Sequence, residues 1–336
     1  KTYFSQKSYN NHIGVPLSLC NLENDHKYGV FEIGMSNAGE IGKLSNLVKP
    51  DIAIITNIGE AHVENFDNLD GIAKAKSEII ENISNDGHLI LNRDDKYFNY
   101  LSMFAKKKNI NVLSFGKSKK SNAKLIKINL FKNYNDLHFR VLNKNIYLKV
   151  KKVNSVVISN ILSTLLTLHI LDLDLTKKVN FSNHFDLVEG RGKTHLVSRY
   201  KKKFQLIDES YNANPSSVKN AINNFSNIKR SSKKKFLLLG DMLELGKKSD
   251  NYHKNLAHII NHSNIDKLFV YGKNTFKTYQ KTYKVKQGNI LQNLSDFDEV
   301  FSDIINNDDY LMIKGSNATG LNKLSKLIIS GRKYAL

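Results

Sequence analysis

The stretch DIAIITNIGEAHVENFDNLDGIAKAKSEII, residues 51–80, sets the pattern from which the fold can be predicted. It opens with an apolar run at Asp51–Gly59, passes through a polar loop that holds His62 and Glu64, and enters a helical pattern over Gly71–Ile83. A buried strand, a polar loop and an amphipathic helix in succession are typical of parallel α/β sheets. The stretch therefore predicts an α/β fold with polar side chains at the carboxyl end of a strand.

The same alternation extends along the whole chain. In the first part it predicts strands and a long helix at Tyr28–Gly34, Gly87–Asn92, Asn111–Gly116 and Val156–Leu171, with antiparallel strands between Lys124 and Lys151. A second α/β rhythm begins near residue 195, with strands at Phe204–Ser210, Lys235–Met242, Asp266–Gly272 and Asp309–Ser316, and helices at about Pro215–Phe225, Asp250–Asn261 and Gly320–Ile329. We expect a mainly parallel sheet domain in residues 1–193, followed by a smaller α/β domain in residues 194–336.

Composition limits the class of protein. A hydrophobic content of 40% and a charged content of 24% exclude a disordered chain and indicate a globular one. The formal net charge of +20 raises the question of nucleic acid, but the lysines are scattered and no aromatic stacking pattern accompanies them. We therefore expect no nucleic-acid partner. A positive field would still favour anionic nucleotide substrates.

Cysteine content and apolar segments indicate a cytoplasmic protein. The single cysteine, Cys20, excludes an intramolecular disulfide, is typical of a reducing compartment, and lies in an apolar run that predicts a buried structural thiol. Polar residues interrupt the longest apolar segment, Ser155–Leu171, so a core helix is predicted there and no membrane span. The chain begins with Lys1 and not with Met, and we expect that the native start is missing.

Two polar residues are expected to follow strands of one sheet. Glu32, in GVFEIG, is predicted at the carboxyl end of a buried strand, and His62 follows the strand Ala53–Ile58. Alone, Glu32 could form a salt bridge and His62 could be a hydrogen-bonded loop residue. Together they predict a divalent-metal site that would suit Mg²⁺ and phosphate oxygens. For Lys76, on the next helix, the sequence favours solvent exposure over a phosphate contact or conversion to a carbamate.

Nine short motifs, taken together, resemble the Mur ligase family. They occur in order, and the resemblance is weakest between Lys106 and Leu148. The motifs are NNHIGVPL (10–17), EIGMSNAGEI (32–41), TNIGEAHVENF (56–66), GIAKAKSEI (71–79), NRDD (92–95), EGRGK (189–193), DESYNANPSS (208–217), LGDMLELG (239–246) and KGS (314–316). Within the family, the chain is most similar to the branch that joins D-alanyl-D-alanine to a UDP-N-acetylmuramoyl-tripeptide.

The resemblance implies a fold, a reaction and partners. The fold is a central ATPase-type sheet domain followed by a Rossmann-like ligase domain. In the reaction, ATP and Mg²⁺ convert the carboxylate of the UDP-muramoyl-tripeptide into an acyl phosphate, which the amine of D-alanyl-D-alanine attacks. This reaction belongs to peptidoglycan precursor synthesis, and we expect a monomer.

Residue roles also follow from the resemblance, position by position. It implies that Glu32 and His62 are magnesium ligands, that His62 and Lys76 are catalytic and Lys76 is carbamylated, that Asn92 contacts adenine, and that Arg191 reaches the ATP phosphates. A turn cap at Asn92 and a surface position for Arg191 are the alternatives. One of Asp208 and Glu209 is expected to hold the ribose, although the family usually has two aspartates there.

On the substrate side the resemblance implies contacts from Tyr211, Asn212, Asn214, Lys314 and Ser316. The family commonly has arginine where Asn317 stands, which weakens the carboxylate-binding role expected of the KGS motif. For Asp241 and Glu244, in the GDMLELG motif, a structural or domain-contact role is favoured.

One expected motif is absent from the sequence. No G-x-x-G-K-[ST] phosphate loop occurs in the 336 residues, and the resemblance places this loop and a UDP-binding domain ahead of Lys1. We therefore expect that the chain as given cannot catalyse ligation. A Mur-family ligase for another amino acid and a non-catalytic nucleotide or muropeptide binder remain open, and a nucleic-acid-binding protein is a distant third.

Overall fold

The computed structural model describes residues 1–60, 63–66, 68–131, 134–151, 153–175, 189–229 and 233–332. The chain forms two compact units, the first of Lys1–Gly59 and Asn65–Phe185 and the second of Glu60–Glu64 and Asp186–Leu336. A short segment that follows a strand of the first unit thus belongs to the second, which the sequence did not indicate. The predicted division between residues 193 and 194 stays a prediction.

The first unit contains two sheets. A parallel pair is formed by β1 (Thr2–Phe4) and β2 (Tyr28–Val30). A six-stranded sheet has the order β3 (Ile52–Ile55), β4 (His88–Asn92), β5 (Asn111–Phe115), β6 (Ala123–Leu130), β7 (Tyr134–Val141), β8 (Lys144–Lys151). Its strands are parallel from β3 to β6 and antiparallel from β6 to β8, which confirms the antiparallel strands predicted from the alternating pattern.

Five helices accompany these sheets: α1 (Gly14–Cys20), α2 (Glu40–Val48), α3 (Leu69–Ser77), α4 (Phe98–Lys107) and α5 (Ser155–Ile170). The Asn68 side chain accepts hydrogen bonds from the backbone N–H groups of Asp70 and Gly71 and so starts α3. The α5 helix packs in one core with the buried face of β7, where Phe139 is fully buried. It is therefore a core helix, as predicted.

Two expectations for the first unit are wrong. Cys20 is exposed, because it is the last residue of the short helix α1. The strand before Glu32 is only three residues long, is not buried, and pairs with β1 instead of joining the sheet of β3. It stops at Val30 because the chain leaves the ladder there, and the Glu32 N–H donates to the Ser5 hydroxyl at 3.3 Å. Glu32 and His62 therefore do not follow strands of one sheet.

The second unit is a six-stranded sheet with helices on both faces. Its strands are β9 (Lys193–Arg199), β10 (Lys202–Glu209), β11 (Lys235–Gly240), β12 (Lys267–Tyr271), β13 (Gln287–Leu291) and β14 (Tyr310–Lys314). The order is β13-β12-β11-β14-β10-β9, and all neighbours are parallel except β9 and β10. The helices are α6 (Pro215–Ser226), α7 (Ser249–Asn261), α8 (Thr275–Lys281), α9 (Phe297–Ile304) and α10 (Leu321–Ile329).

The strand β11 shows why its sequence is apolar throughout. Phe236 and Leu238 lie in the core shared with α9 and α10, whereas Leu237 and Leu239 lie in the core shared with α6 and α7. A strand of a parallel sheet that is covered on both faces needs apolar residues at successive positions. In such sheets, ligands bind at the carboxyl ends of the strands, and β10, β14 and β11 are neighbours there. The predicted α/β fold with mostly parallel strands is confirmed.

Within the described residues, no helix combines the length and the apolar character that a membrane crossing requires.

Candidate active site

In the first unit, the loops that follow β3 and β4 are joined by Asp95. Its two carboxylate oxygens accept hydrogen bonds from the N–H groups of Ile58, at 2.7 Å, and Tyr97, at 2.8 Å. Lys76 points to the same loops, because its Nζ donates to the Asn57 carbonyl at 3.4 Å. The structure therefore places Lys76 at the carboxyl edge of the sheet.

Lys76 is half-buried, unlike the exposed Lys74 on the same helix. Burial lowers the pKa of Lys76, and the negative charge of Asp95 opposes this shift only in part. The solvent-exposed position that the sequence favoured is correct for Lys74 and wrong for Lys76. A lowered pKa means that more of the Lys76 amine is neutral near pH 7, and the neutral form is the nucleophilic one.

Asn92, the last residue of β4, forms a local turn. Its side-chain oxygen accepts a hydrogen bond from the Asp94 N–H at 3.0 Å. The Asp94 carboxylate accepts in turn from the N–H groups of Lys117, at 2.6 Å, and Ser118, at 3.0 Å. The turn-capping alternative for Asn92 is thus present in the structure, and its contact with adenine stays a prediction.

Glu32 is exposed, and the Asn10 amide donates to its Oε1 at 2.8 Å. An exposed carboxylate that is oriented by an amide is a suitable protein ligand for Mg²⁺, which usually retains several waters. Glu32 therefore fits the predicted metal role in the chemistry of its ligand atoms. His62 lies outside the described residues, so the predicted pair of metal ligands stays a prediction.

In the second unit, the EGRG motif forms a tight loop against the end of β10. Gly190 and Gly192 have φ angles of 77° and 88°, a region that favours glycine. The Gly190 carbonyl accepts from the Tyr211 N–H at 3.1 Å, and the Gly192 N–H donates to the Asp208 carbonyl at 2.7 Å. The Arg191 guanidinium lies 4.5 Å from the centre of the Tyr211 ring. The loop therefore brings together Arg191 and Tyr211, which were predicted as phosphate and substrate contacts.

Asp208 and Glu209 are neighbours in β10, so they point to opposite faces of the sheet. The Asp208 carboxylate is buried and accepts from the Ser210 N–H at 3.1 Å and the Ser210 hydroxyl at 2.5 Å. Glu209 Oε2 lies 3.5 Å from Lys314 Nζ. The two acids therefore have different environments, although the sequence did not distinguish them.

A group of possible ligand atoms lies beside Asp208. Atoms of Glu189, His195 and Asp208 are all within 4.8 Å of one another. Lys193 pairs with Asp208 across β9 and β10, and His195 lies two residues further along β9 on the same face. The Lys193 ammonium already bonds Glu189 at 2.5 Å, so a metal ion would have to compete with it. The sequence analysis missed Glu189 and His195.

A pocket of about 380 Å³ opens within the second unit, where the loops after β10, β11 and β14 meet. It is lined by Glu60, Asn212, Ala213, Asn214, Leu243, Glu244, Ser316, Asn317 and Ala318. Three of the predicted substrate residues, Asn212, Asn214 and Ser316, line it. The other two, Tyr211 and Lys314, are not among the lining residues.

Side chains around the pocket also hold its walls. The Ser316 hydroxyl accepts from the Leu243 N–H at 2.9 Å and donates to the Ala213 carbonyl at 3.2 Å. The Asn214 side-chain oxygen accepts from the Ser217 N–H at 2.8 Å and forms a capping box at the start of α6. Asp241 accepts from the Thr275 N–H at 2.7 Å, in agreement with a structural role. Ser316 and Asn214 therefore join loops and helices, whatever they bind.

Two family models match the chain. Residues 1–168 match the Mur ligase middle domain, and residues 194–317 match the Mur ligase, glutamate ligase domain. This chain belongs to the Mur ligase family.

Individual Mur ligases are similar over most of the chain. A UDP-N-acetylmuramoyl-tripeptide–D-alanyl-D-alanine ligase of Rickettsia prowazekii is 30% identical over 323 residues, which cover 96% of this chain and 71% of that protein. The ligase of the same name from Buchnera aphidicola, subspecies Acyrthosiphon pisum, is 32% identical over 329 residues and is covered to 70%. A crystal structure of MurF from Acinetobacter baumannii has a TM-score of 0.84 at 23% identity, covers 98% of this chain and is covered to 70%, which shows a common fold.

Some residues at these Mur ligase sites were not predicted. Glu60 lines the pocket because its segment belongs to the second unit, and no local pattern indicates such a return of the chain. For His195, a signal was available: in the antiparallel ladder of β9 and β10, residues two apart share a face with Asp208.

Proposed function

We propose that this chain carries out the ATP-dependent ligation of D-alanyl-D-alanine to a UDP-N-acetylmuramoyl-tripeptide, a step of cytoplasmic peptidoglycan precursor synthesis. The observation that carries the proposal is the similarity, at 30% identity over 96% of the chain, to a ligase named for these two substrates. Both family domains occur in one chain and in order, which supports the same conclusion. We propose a monomer with domains at residues 1–193 and 194–336.

The chemistry forms one amide bond at the expense of one ATP. The tripeptide carboxylate attacks the γ-phosphorus of ATP, ADP leaves, and an acyl phosphate results. The amine of the dipeptide then attacks the acyl carbon, the C–O bond to phosphate breaks, and the amine gives up its protons. Mg²⁺, when bound, would reduce the repulsion between triphosphate and carboxylate, and Glu32 and His62 would hold it.

Lys76 is proposed to act as a carbamate. The neutral amine adds to CO₂ with formation of an N–C bond and release of a proton, which converts a positive side chain into a negative one. The lowered pKa of Lys76 supports this step, because burial increases the neutral fraction of its amine. Its position next to the Asn57 carbonyl at the carboxyl edge of the sheet supports a role in orienting groups there.

The remaining roles are proposed from the family and from local geometry. Asn92 would contact adenine, and one of Asp208 and Glu209 would hold the ribose. Arg191 would bind phosphate oxygens, since its planar guanidinium is already oriented by the Tyr211 ring and offers several donors in fixed directions. On the substrate side we propose Tyr211, Asn212, Asn214, Lys314 and Ser316.

A direct assay tests the proposal. Purified protein is mixed with ATP, Mg²⁺, the UDP-linked tripeptide and D-alanyl-D-alanine, and phosphate and ligated product are measured by colorimetry and mass spectrometry. We expect no product from residues 1–336 alone, because they contain no phosphate-loop sequence, and product when the residues encoded upstream of Lys1 are included. Faster ligation of a single amino acid in competition would favour another Mur-family ligase. A longer chain that binds nucleotide without any turnover would favour the non-catalytic binder.

A further inference from the structure

We propose that the pocket of the second unit binds the ammonium group of the amine substrate, and that the carboxylates of Glu60 and Glu244 recognise it. The inference rests on the proposed function, because it assigns a place to the amine that this reaction consumes. It adds two residues that neither the family resemblance nor the comparisons assign to substrate.

The lining side chains define the class of ligand. The volume of about 380 Å³ falls within the range of roughly 300–1,000 Å³ that is usual for small-molecule sites. The polar lining consists of two carboxylates, three asparagine amides and one serine hydroxyl, and the described lining residues include no lysine, arginine or histidine. Such a set has an excess of acceptors and negative charge, which an ammonium group with three N–H donors would satisfy.

The charge of the surroundings makes this set distinctive. The whole chain carries a formal charge of +20, which by itself favours anions. The nearby ammonium of Lys314 is buried, donates to the Asn212 carbonyl at 2.8 Å and lies 3.5 Å from the Glu209 carboxylate. Its charge is therefore directed to the protein and not into the pocket. A locally acidic pocket in a strongly basic chain selects a cation and repels a phosphate or a carboxylate.

The two acidic segments are joined by their backbones. The Glu64 N–H donates to the Glu244 carbonyl at 3.1 Å. Gly246 packs so closely that a Cβ there would lie 3.3 Å from Glu64 Cα. Glu244 itself has a φ of 59°, which is uncommon for a residue other than glycine, asparagine or aspartate. A glutamate that is held in this conformation by its neighbours is a pre-positioned group, and such outliers are frequent at ligand sites.

The experiment compares an amine with its acetylated form. Residues 1–336 are titrated with D-alanyl-D-alanine and with N-acetyl-D-alanyl-D-alanine at millimolar concentrations, by calorimetry or by NMR shift mapping. The acetylated dipeptide keeps the shape and the carboxylate but has no ammonium. We expect the free amine to bind at least about tenfold more tightly, since a charge-assisted hydrogen bond that is lost costs about a factor of ten or more.

Three variants locate the effect. Glu60→Gln and Glu244→Gln should each weaken binding of the free amine by about tenfold and leave the acetylated dipeptide unchanged. Glu64→Gln is the matched control, because it removes the same charge from the same segment at an exposed position that does not line the pocket. Equal affinity for both dipeptides, no binding of either, or a preference for the amine that persists in both pocket variants would overturn the proposal.

Other amines separate this inference from the proposed function. D-Glutamate and L-alanine are titrated against their N-acetyl forms with the same variants. If one of them binds more tightly than the dipeptide and depends on Glu60 and Glu244, the ammonium site stands and the proposed substrate is wrong. If D-alanyl-D-alanine is preferred without any dependence on these acids, the proposed substrate stands and the ammonium site is wrong.

Discussion

Glu209 and Lys314 lie opposite each other on the parallel strands β10 and β14, with Glu209 Oε2 3.5 Å from Lys314 Nζ. The side chains are only 21% and 3% exposed. Burial raises the pKa of Glu209 and lowers the pKa of Lys314, and each partner reduces the shift of the other. Because burial opposes both charges, either residue without its partner should be costly.

Removing the cation tests this relationship. Lys314→Met leaves the Glu209 carboxylate without its partner, so local opening of β10 and β14 should become easier by about 3 kcal/mol. Native-state hydrogen exchange of the amides in these strands measures the change. The double variant Lys314→Met with Glu209→Gln should recover part of the loss. Lys323→Met, at an exposed position of α10, is the control and should change stability by less than about 0.5 kcal/mol. An equally small effect of Lys314→Met would refute the prediction.

Asn214 allows a structural role to be separated from a substrate role. Asn214→Ala removes the side-chain oxygen that caps α6 and should weaken the protection of the first turn of this helix by about 1 kcal/mol. Asn214→Ser retains a capping oxygen and should cost little. Hydrogen exchange of α6 amides provides the measurement, and Ser216→Ala, at an exposed position, is the control. If Asn214→Ser keeps helix protection but weakens dipeptide binding, Asn214 also contacts substrate.

The carbamate proposed at Lys76 can be observed directly. In ¹³C-bicarbonate buffer near pH 8, the wild-type protein should show a carbamate carbon resonance, because burial keeps part of the Lys76 amine neutral. Lys76→Arg should abolish this resonance, whereas Lys74→Arg should retain it, since Lys74 is exposed on the same helix. A resonance that persists in Lys76→Arg, or is missing from the wild type, would contradict the assignment.

Sequence patterns were sufficient where local periodicity determines structure. The run KFLLLG predicted β11, because a strand covered on both faces needs apolar side chains at every position. Helix α7 was predicted at Asp250–Asn261 and is observed at Ser249–Asn261. The polar ends of β10 and β14 were also correctly placed, since they follow directly from the ends of the apolar runs.

Patterns were insufficient where distant segments decide the outcome. The strand before Glu32 looked like the strand before His62, but its hydrogen-bonding partner is β1, and an apolar run does not encode its partner. Glu60 joined the pocket through a return of the chain to the second unit. Lys76 was expected in solvent because its burial depends on the loops after β3 and β4, which lie elsewhere in the sequence.

A buried histidine beside the pocket gives a pH-dependent prediction. His253 is fully buried on α7, its Nε2 accepts from the Met242 N–H at 3.1 Å, and its Nδ1 lies 2.8 Å from the Ser249 carbonyl and donates to it. Burial lowers its pKa, and although the Ser249 carbonyl and the charges of Asp241 and Asp250 oppose this shift, Lys277 adds to it. The folded protein therefore holds His253 neutral.

The sign of the effect follows from proton binding. Below a pH of about 6.5, the unfolded chain binds a proton at this histidine that the folded chain does not, so stability falls as the pH falls, by at most about 1.4 kcal/mol per pH unit. Above that pH both states are neutral and the contribution is constant. The urea midpoint, followed by circular dichroism between about pH 7.5 and pH 5, should therefore decline less steeply in His253→Gln, which can still accept from Met242, than in the wild type. His258→Gln, at an exposed position of the same helix, should decline like the wild type, and an identical decline in all three proteins would exclude His253 as the cause.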